Sequence, residues 1–217
     1  MPRTILLRDW LNQLYSRQYP KQDFSLEPAS ADASFRRYFR ITLPDGNTRI
    51  VMDAPPSHED CRPFLKVAAL LRDAGVHAPD VFAENPEAGF LLLSDLGNTT
   101  YLNVLTPATA TRLYGDANTA LVDIQLASQP GVLPEYDRAL LNRELDLFPD
   151  WYIARHLDVA LDEKQQSALR GVFERIIANN LAQPSVFVHR DYHSRNLMVV
   201  DGEYPGNPGI IDFQDAV

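Results

Sequence analysis

The stretch SVFVHRDYHSRNLMVVDGEYPGNPGIIDFQDAV, residues 185–217, decides how the chain is read. Two short apolar runs, LMVV at 197–200 and GIIDF at 209–213, flank DGEYPGNP, a connection rich in Gly and Pro. Apolar runs around such punctuation predict an antiparallel hairpin. The first residue of one strand then lies opposite the last of the other, so Asn196 and Asp212 should meet. An amide oxygen and a carboxylate side by side are hard ligands suited to Mg²⁺, with waters or phosphate oxygens completing the shell. Asp191, five residues before Asn196 in HRDYHSRN, would stand beside that pair, placed to orient an attacking hydroxyl and accept its proton. Taken singly, an Asp or Asn is more often a turn or cap residue, and His189 more often a packed histidine. A surface hairpin with polar caps does not explain why HRDYHSRN directly follows the apolar run SVFV.

Outside this stretch, composition narrows the classes. At 217 residues the chain can bury one large or two small cores, and its 45% apolar content is that of a globular protein. The net charge of −9, with no basic tract longer than Arg36-Arg37, argues against a nucleic-acid partner. Cys61 is the only cysteine, so no disulfide forms within the chain, which fits a reducing compartment. The N-terminal MPRTILLRDWLNQLY has too short and too charged an apolar run for a signal peptide. No run reaches the roughly 20 apolar residues of a membrane span. These features predict a cytoplasmic protein with no membrane contact; a monomer is expected, although nothing in the sequence fixes the oligomeric state. The chain ends five residues after Asp212, and active-site segments seldom end a domain, so a helical part incomplete at its C-terminus is expected.

Along the chain, periodicity predicts a helix over 4–15, strands over 35–41 and 48–53 around the turn Pro44-Asp45-Gly46-Asn47, and a helix over 63–74. Strands at 81–84 and 90–94 follow, then helices over 109–127, 140–157 and 163–181. The strand-rich part gives way to a helical part near residue 97. This is a two-lobe α+β layout, residues 1–96 and 97–217, with a nucleotide expected in the cleft.

Together, H-R-D-x4-N and the following D-F pair resemble the catalytic loop and metal-binding Asp of protein kinases, with Gln214 in place of the DFG glycine. SADASFRRYFR, VMDAPP, LLLSDLG, RELDLFPDWY, HRDYHSRNLM and IIDFQDA are similar to the aminoglycoside/choline phosphotransferase branch of the protein-kinase-like fold. Within it they resemble the bacterial anomeric sugar kinases of cell-wall recycling, which phosphorylate N-acetylmuramate and N-acetylglucosamine at the C1 hydroxyl using ATP. The resemblance implies a bilobal fold, with a small antiparallel-sheet lobe and a largely helical lobe. It implies ATP and Mg²⁺, with Asp191 as catalytic base and Asn196 and Asp212 as magnesium ligands. Ser94, Asp95 and Leu96 match the hinge whose backbone meets adenine. Ser30, Ala31, Asp32, Ala33 and Ser34 match a loop that covers phosphates. Glu144 and Trp151, in RELDLFPDWY, are candidates for sugar contact, although an aromatic stripe on a helix is more often core.

One departure stands out. Kinases place a lysine on the third small-lobe strand, yet the only lysines are Lys21, Lys66 and Lys164, and the matching position falls at Met52 or Asp53. Arg37, on the neighbouring strand, is the candidate substitute, and Glu59 the candidate for the glutamate that normally pairs with that lysine. Two further readings stay open: a kinase acting on another hydroxyl, such as that of an aminoglycoside or choline, and a nucleotide-binding module without catalysis.

Overall fold

A computed structural model describes residues 2–19, 24–30, 35–200 and 206–217. The chain divides into two compact units, one of residues 1–127 with 189–215, the other of 128–188 with 216–217. The expected phosphate-covering residues Ala31, Asp32, Ala33 and Ser34 lie outside the described residues, as does Lys21.

The first unit opens with helix α1 (Arg3–Tyr15), whose Leu7, Trp10 and Leu11 are buried at one-turn spacing. A five-stranded antiparallel sheet follows: β1 (Glu27–Ser30), β2 (Arg37–Thr42), β3 (Thr48–Asp53), β4 (Val81–Asn85) and β5 (Phe90–Ser94), in the spatial order β1-β2-β3-β5-β4. Helix α2 (Arg62–Asp73) connects β3 to β4. Pro63 in its first turn has no N–H to leave unsatisfied, and Gly75, at φ +78°, follows its end. Strand β1 was not expected from the sequence, because Pro28 interrupts any apolar alternation there.

Alternation along β2 and β3 gives the sheet two different faces. On one, Ile41, Val51, Phe90 and Leu92 join Leu7, Trp10 and Leu11 of α1 in a single core, with the Trp10 and Phe90 rings 5.7 Å apart. On the other, Tyr38, Arg40, Ile50 and Leu93 line a cavity. Registry makes rows of these residues: Arg40 faces Ile50, which faces Leu93, whereas Arg37 faces Asp53, which faces Phe90.

That second row holds an ion-pair cluster. Asp53 is fully buried, and its carboxylate accepts from Arg37 of β2 and from Arg3 of α1. The Arg3 Nε–Oδ1 separation is 2.8 Å. Arg3 also donates to the Ala88 carbonyl (2.8 Å) and lies over the Phe90 ring, 4.9 Å from its centroid. The buried carboxylate is thus compensated by two cations, and it ties the first turn of the chain to the middle of the sheet. Beside this cluster, Ala54 donates to the Gly89 carbonyl at 2.8 Å. A Cβ on Gly89 would sit 1.8 Å from the Ala54 oxygen, so only glycine allows that approach.

After β5 come the short helix α3 (Tyr101–Val104) and α4 (Ala110–Leu126), whose Leu113, Ala117, Ala120 and Ile124 form the buried stripe. The second unit contains α5 (Arg138–Leu147), a π-helix (Phe148–His156) and α6 (Glu163–Leu181). Asp137 caps α5 by accepting from Leu140 N at 2.8 Å, and a reciprocal Asp162–Gln165 box caps α6. An Arg138–Glu174 pair (2.7 Å) links α5 to α6.

The continuous helix expected over 140–157 is corrected here, because the α-helix stops at Leu147 and widens into π geometry. Pro149, at the start of the widened segment, has no N–H to give an α ladder. The five-residue bond Leu157 N to Tyr152 O, 2.9 Å, closes the segment.

The last two strands, β6 (Leu197–Met198) and β7 (Gly209–Ile210), return to the first unit as an antiparallel pair, Leu197 facing Ile210 and Met198 facing Gly209. This is the hairpin predicted from the apolar runs. Replacing Asp53 with Ala should lower unfolding free energy by roughly 1–3 kcal/mol, less than for a fully enclosed pair because Arg37 is half exposed. Urea denaturation measures this, and an unchanged midpoint would mean the carboxylate does not anchor α1.

Candidate active site

The hairpin brings two of the predicted groups together. Ile211 N donates to the Asn196 carbonyl at 3.1 Å, continuing the ladder by one step past the strand pair. Asn196 Nδ2 then donates to Asp212 Oδ2 at 3.2 Å and to the Asp191 main-chain carbonyl at 3.1 Å. Gln214 Nε2 donates to the other Asp212 oxygen, Oδ1, at 2.9 Å. One amide group therefore bridges the loop carrying Asp191 and the strand end carrying Asp212. Asp191 itself is exposed.

Backbone geometry sharpens both approaches. Arg190, just before Asp191, has φ +74°, and Asp212 has φ +61°. Left-handed backbone at non-glycine residues is uncommon and is held in place only by the structure around it. Here the surroundings are identifiable. The buried His189 places Nε2 3.1 Å from the Ile211 carbonyl. A carbonyl only accepts, so Nε2 carries the proton and donates. Burial holds the His189 imidazolium pKa below the ordinary histidine value, against smaller opposing effects of this hydrogen bond and of Asp212 and Asp191. Tyr192 donates to the Ala117 carbonyl of α4 at 2.7 Å, and Leu102 N donates to the Ser194 carbonyl at 2.9 Å. The 189–196 segment is thus fixed from three sides. Phe213, fully buried, packs its ring 4.7 Å from Phe64 of α2.

A cavity of about 410 Å³ lies within this unit, bounded by Tyr38, Arg40, Ile50 and Leu93 of the sheet, Ser94 to Thr100 in part, and Arg195, Asn196, Met198, Ile211 and Asp212. The hinge candidates Ser94, Asp95 and Leu96 are all on its wall. Ser94 is fastened to Asp80 by reciprocal 2.9 Å bonds, Asp80 N to Oγ and Ser94 N to the Asp80 carbonyl. Leu96 packs on the hairpin at Gly209, where a Cβ would come within 3.0 Å of Leu96 Cδ1.

Asp95 and Arg40 form a two-pronged pair, Nε–Oδ2 2.5 Å and Nη2–Oδ1 2.9 Å, and Gly97 N also donates to Oδ1 at 2.9 Å. Burial alone would raise the Asp95 carboxyl. The hydrogen bonds from Arg40, Thr48 and Gly97, with the charge of Arg40, outweigh it and hold the group below the usual aspartate range. The sequence reading passed over Arg40, although its i+2 spacing from Tyr38 on a predicted strand could have placed it on that face.

Arg37 is not brought to the cavity. It points to the α1 face, where Asp53 binds it. The cavity-side alternative at the lysine position, Met52, is the direct partner of Tyr38 and is fully buried and uncharged. Glu59 closes a turn, its N–H donating to the Pro55 carbonyl at 2.9 Å. Glu144 and Trp151 belong to the second unit. Glu144 accepts from the Tyr136 hydroxyl. Trp151 is 56% exposed, with the Arg155 guanidinium 4.1 Å from its ring centroid. Phe148, Tyr152 and His156 stack at one-turn intervals beside it, 5.6 and 5.4 Å apart.

The donor set at the hairpin fits a hard divalent cation. Asn196 spends its amide nitrogen on Asp191 and Asp212, which leaves Oδ1 outside any hydrogen bond among the described residues. Among the described residues each Asp212 oxygen accepts one. Among the described residues no group of three or more His, Cys, Asp or Glu could hold a metal. Two oxygens with an otherwise open shell suit Mg²⁺ shared with phosphate better than a closed protein cage.

The model of the phosphotransferase enzyme family (APH) matches residues 25–217, and the chain belongs to that family. A relative from Pseudomonas aeruginosa named N-acetylmuramate/N-acetylglucosamine kinase is 54% identical over 192 residues, covering 88% of this chain and 55% of the relative. A relative of the same name from Neisseria meningitidis serogroup B is 43% identical, covering 100% of this chain and 63% of its own length. The chain therefore spans between half and two thirds of these relatives. Among solved structures, the streptomycin–ATP–APH(2″)-IIa ternary complex superposes with a TM-score of 0.57 at 14% identity, over 95% of this chain and 70% of that one. The chain thus has the α+β, kinase-like fold of these phosphotransferases. No helix among the described residues is long and apolar enough to cross a membrane.

The Asp95 pair gives a pH prediction. A carboxyl depressed by folding contributes stability that is complete above the unfolded value, about 3.9. That contribution is lost as pH falls through the lower folded value. Asp95→Asn should therefore lower the melting temperature at pH 7, with the gap to wild type closing below about pH 4. Thermal melts across pH 3–7 read this directly, and a gap constant with pH would remove the charge from the explanation.

Proposed function

We propose that this chain carries the nucleotide-binding and catalytic part of an ATP-dependent sugar kinase. Its reaction would phosphorylate the anomeric C1 hydroxyl of N-acetylmuramate and N-acetylglucosamine, as in the recycling of peptidoglycan. The observation that carries the reading is the junction of Asn196 and Asp212 beside the Asp191 loop, on the wall of a cavity large enough for a nucleotide. The acceptor rests on relatives of that name at 54% and 43% identity.

In this reading the nucleobase lies against the sheet between Ile50 and Leu93, and the backbone of Ser94, Asp95 and Leu96 meets its polar edge. Asn196 Oδ1 and the Asp212 carboxylate would hold Mg²⁺, which would offset charge on the phosphates. Asp191 orients the sugar hydroxyl and takes its proton as the oxygen attacks the γ-phosphorus and ADP leaves. No covalent enzyme intermediate is required. Asn196 and Gln214 each donate to one Asp212 oxygen and so orient the carboxylate before any ligand arrives. Ser30 to Ser34 would cover the phosphates, and Glu144 and Trp151 would contact the sugar. Residues 1–96 would form the nucleotide lobe and 97–217 the catalytic lobe of a cytoplasmic monomer.

A second reading, a phosphotransferase acting on an aminoglycoside, draws on the kinship in fold, but at 14% identity. Product detection across amino sugars, aminoglycosides and choline separates the two. Transfer to C1 removes the reducing end, so a reducing-sugar assay should fall in step with ADP formation when N-acetylglucosamine is the acceptor. ADP release with the reducing end intact would place the phosphoryl group elsewhere.

Asp191→Ala should cut kcat by roughly 10²- to 10⁴-fold, the usual contribution of a general base, while ATP affinity holds. Asp212→Ala should instead weaken nucleotide binding only when Mg²⁺ is present. Near-normal turnover in the first variant, or unaltered Mg²⁺ dependence in the second, would refute the role assigned to that residue.

A further inference from the structure

The cavity poses a charge problem that the family pattern does not solve. A nucleoside triphosphate carries several negative charges, and one Mg²⁺ offsets only part of them. The position where a small-lobe lysine would stand offers no cation, since Met52 occupies the cavity face and Asp53 points to α1. Among the described residues, four charged side chains line the cavity: Arg40, Asp95, Arg195 and Asp212. Arg40 is committed to Asp95 by both prongs of its guanidinium. Arg195 lines the same wall beside Asn196 and Asp212 and is exposed. Its guanidinium takes part in no ion pair or hydrogen bond among the described residues, whereas Arg3, Arg37, Arg40, Arg62, Arg112 and Arg138 all do.

The backbone under Arg195 is also fixed. Its N–H donates to His193 Nδ1 at 3.3 Å, and Asn196 N donates to the His193 carbonyl at 2.8 Å. Residue 195 is thus held one step from a metal-ligand candidate, on an ordered turn. We propose that Arg195 supplies the cationic contact to the polyphosphate of the bound nucleotide, taking the electrostatic part that a small-lobe lysine plays elsewhere. This rests on the nucleotide-binding reading above. A guanidinium suits the task because its planar fork donates two parallel hydrogen bonds to phosphate oxygens and stays charged at any working pH. The contact approaches from the catalytic-loop side, so the sheet need not carry a cation and Asp53 is free to anchor α1.

The test is equilibrium binding of adenosine, AMP, ADP and ATP to the whole chain, with and without Mg²⁺, for wild type, Arg195→Ala and Arg195→Gln. Wild type should prefer ADP and ATP over adenosine. Both variants should lose roughly tenfold or more for ADP and ATP, the scale of a charge-assisted contact, and bind adenosine unchanged. The glutamine variant keeps side-chain length without charge, and it decides the outcome should the alanine variant melt early. ADP and ATP affinities within twofold of wild type in Arg195→Gln, or an equal loss for adenosine in that folded variant, would overturn the assignment while leaving the nucleotide site standing. Failure of the wild type to bind any adenine nucleotide would overturn both.

Discussion

Two residue pairs of β-structure hold this site together. Leu197 facing Ile210 and Met198 facing Gly209 is a minimal ladder, yet its register determines that Asn196 and Asp212 share an end. A slip of one residue would turn every side chain of one strand to the other face. Leu197, Met198, Gly209 and Ile210 are all buried, so a slip would misplace closely packed side chains and is penalised by the loss of that packing. The hairpin is further pinned by Val199 N to the Thr99 carbonyl at 2.8 Å and by Ile210 N to the His77 carbonyl at 2.7 Å. So short a ladder is stable only as part of a larger packed body, and the 77 and 99 segments provide the adjoining backbone.

The sheet serves two incompatible demands by using its two faces. One face takes α1 and closes an apolar core, with the Asp53 cluster as its polar fastening. The other stays open as the cavity, with the Arg40–Asp95 pair linking β2 to the segment after β5. An acidic residue on the third strand looks adverse to phosphate binding when read in one dimension. In three dimensions it faces away, and the cavity gains no negative charge from it.

Much of this was legible beforehand, and the reasons are specific. The hairpin was readable because two apolar runs flank a Gly/Pro connection, so the meeting of Asn196 and Asp212 followed from pairing alone. The strand at 90–94 and the helix at 163–181 matched residue for residue, because an unbroken apolar run and an Asp162–Gln165 cap mark their limits. The π-helix was not readable, since the four-residue spacing of Phe148 and Tyr152 fits either geometry, and Pro149 in the interior of the expected helix was passed over. The partners of Arg37 and Arg40 were hidden for another reason. Which aspartate each arginine meets depends on strand register, and Asp53 and Asp95 lie 16 and 55 residues from them.

The central claim is that Asn196 and Asp212 act as one metal site completed by the nucleotide. Electron paramagnetic resonance of Mn²⁺, substituted for Mg²⁺ and titrated with ADP, measures this most directly. The account predicts tight Mn²⁺ uptake only when ADP is present, and loss of that uptake in both Asn196→Leu and Asp212→Asn. Uptake at wild-type strength in either variant would contradict it.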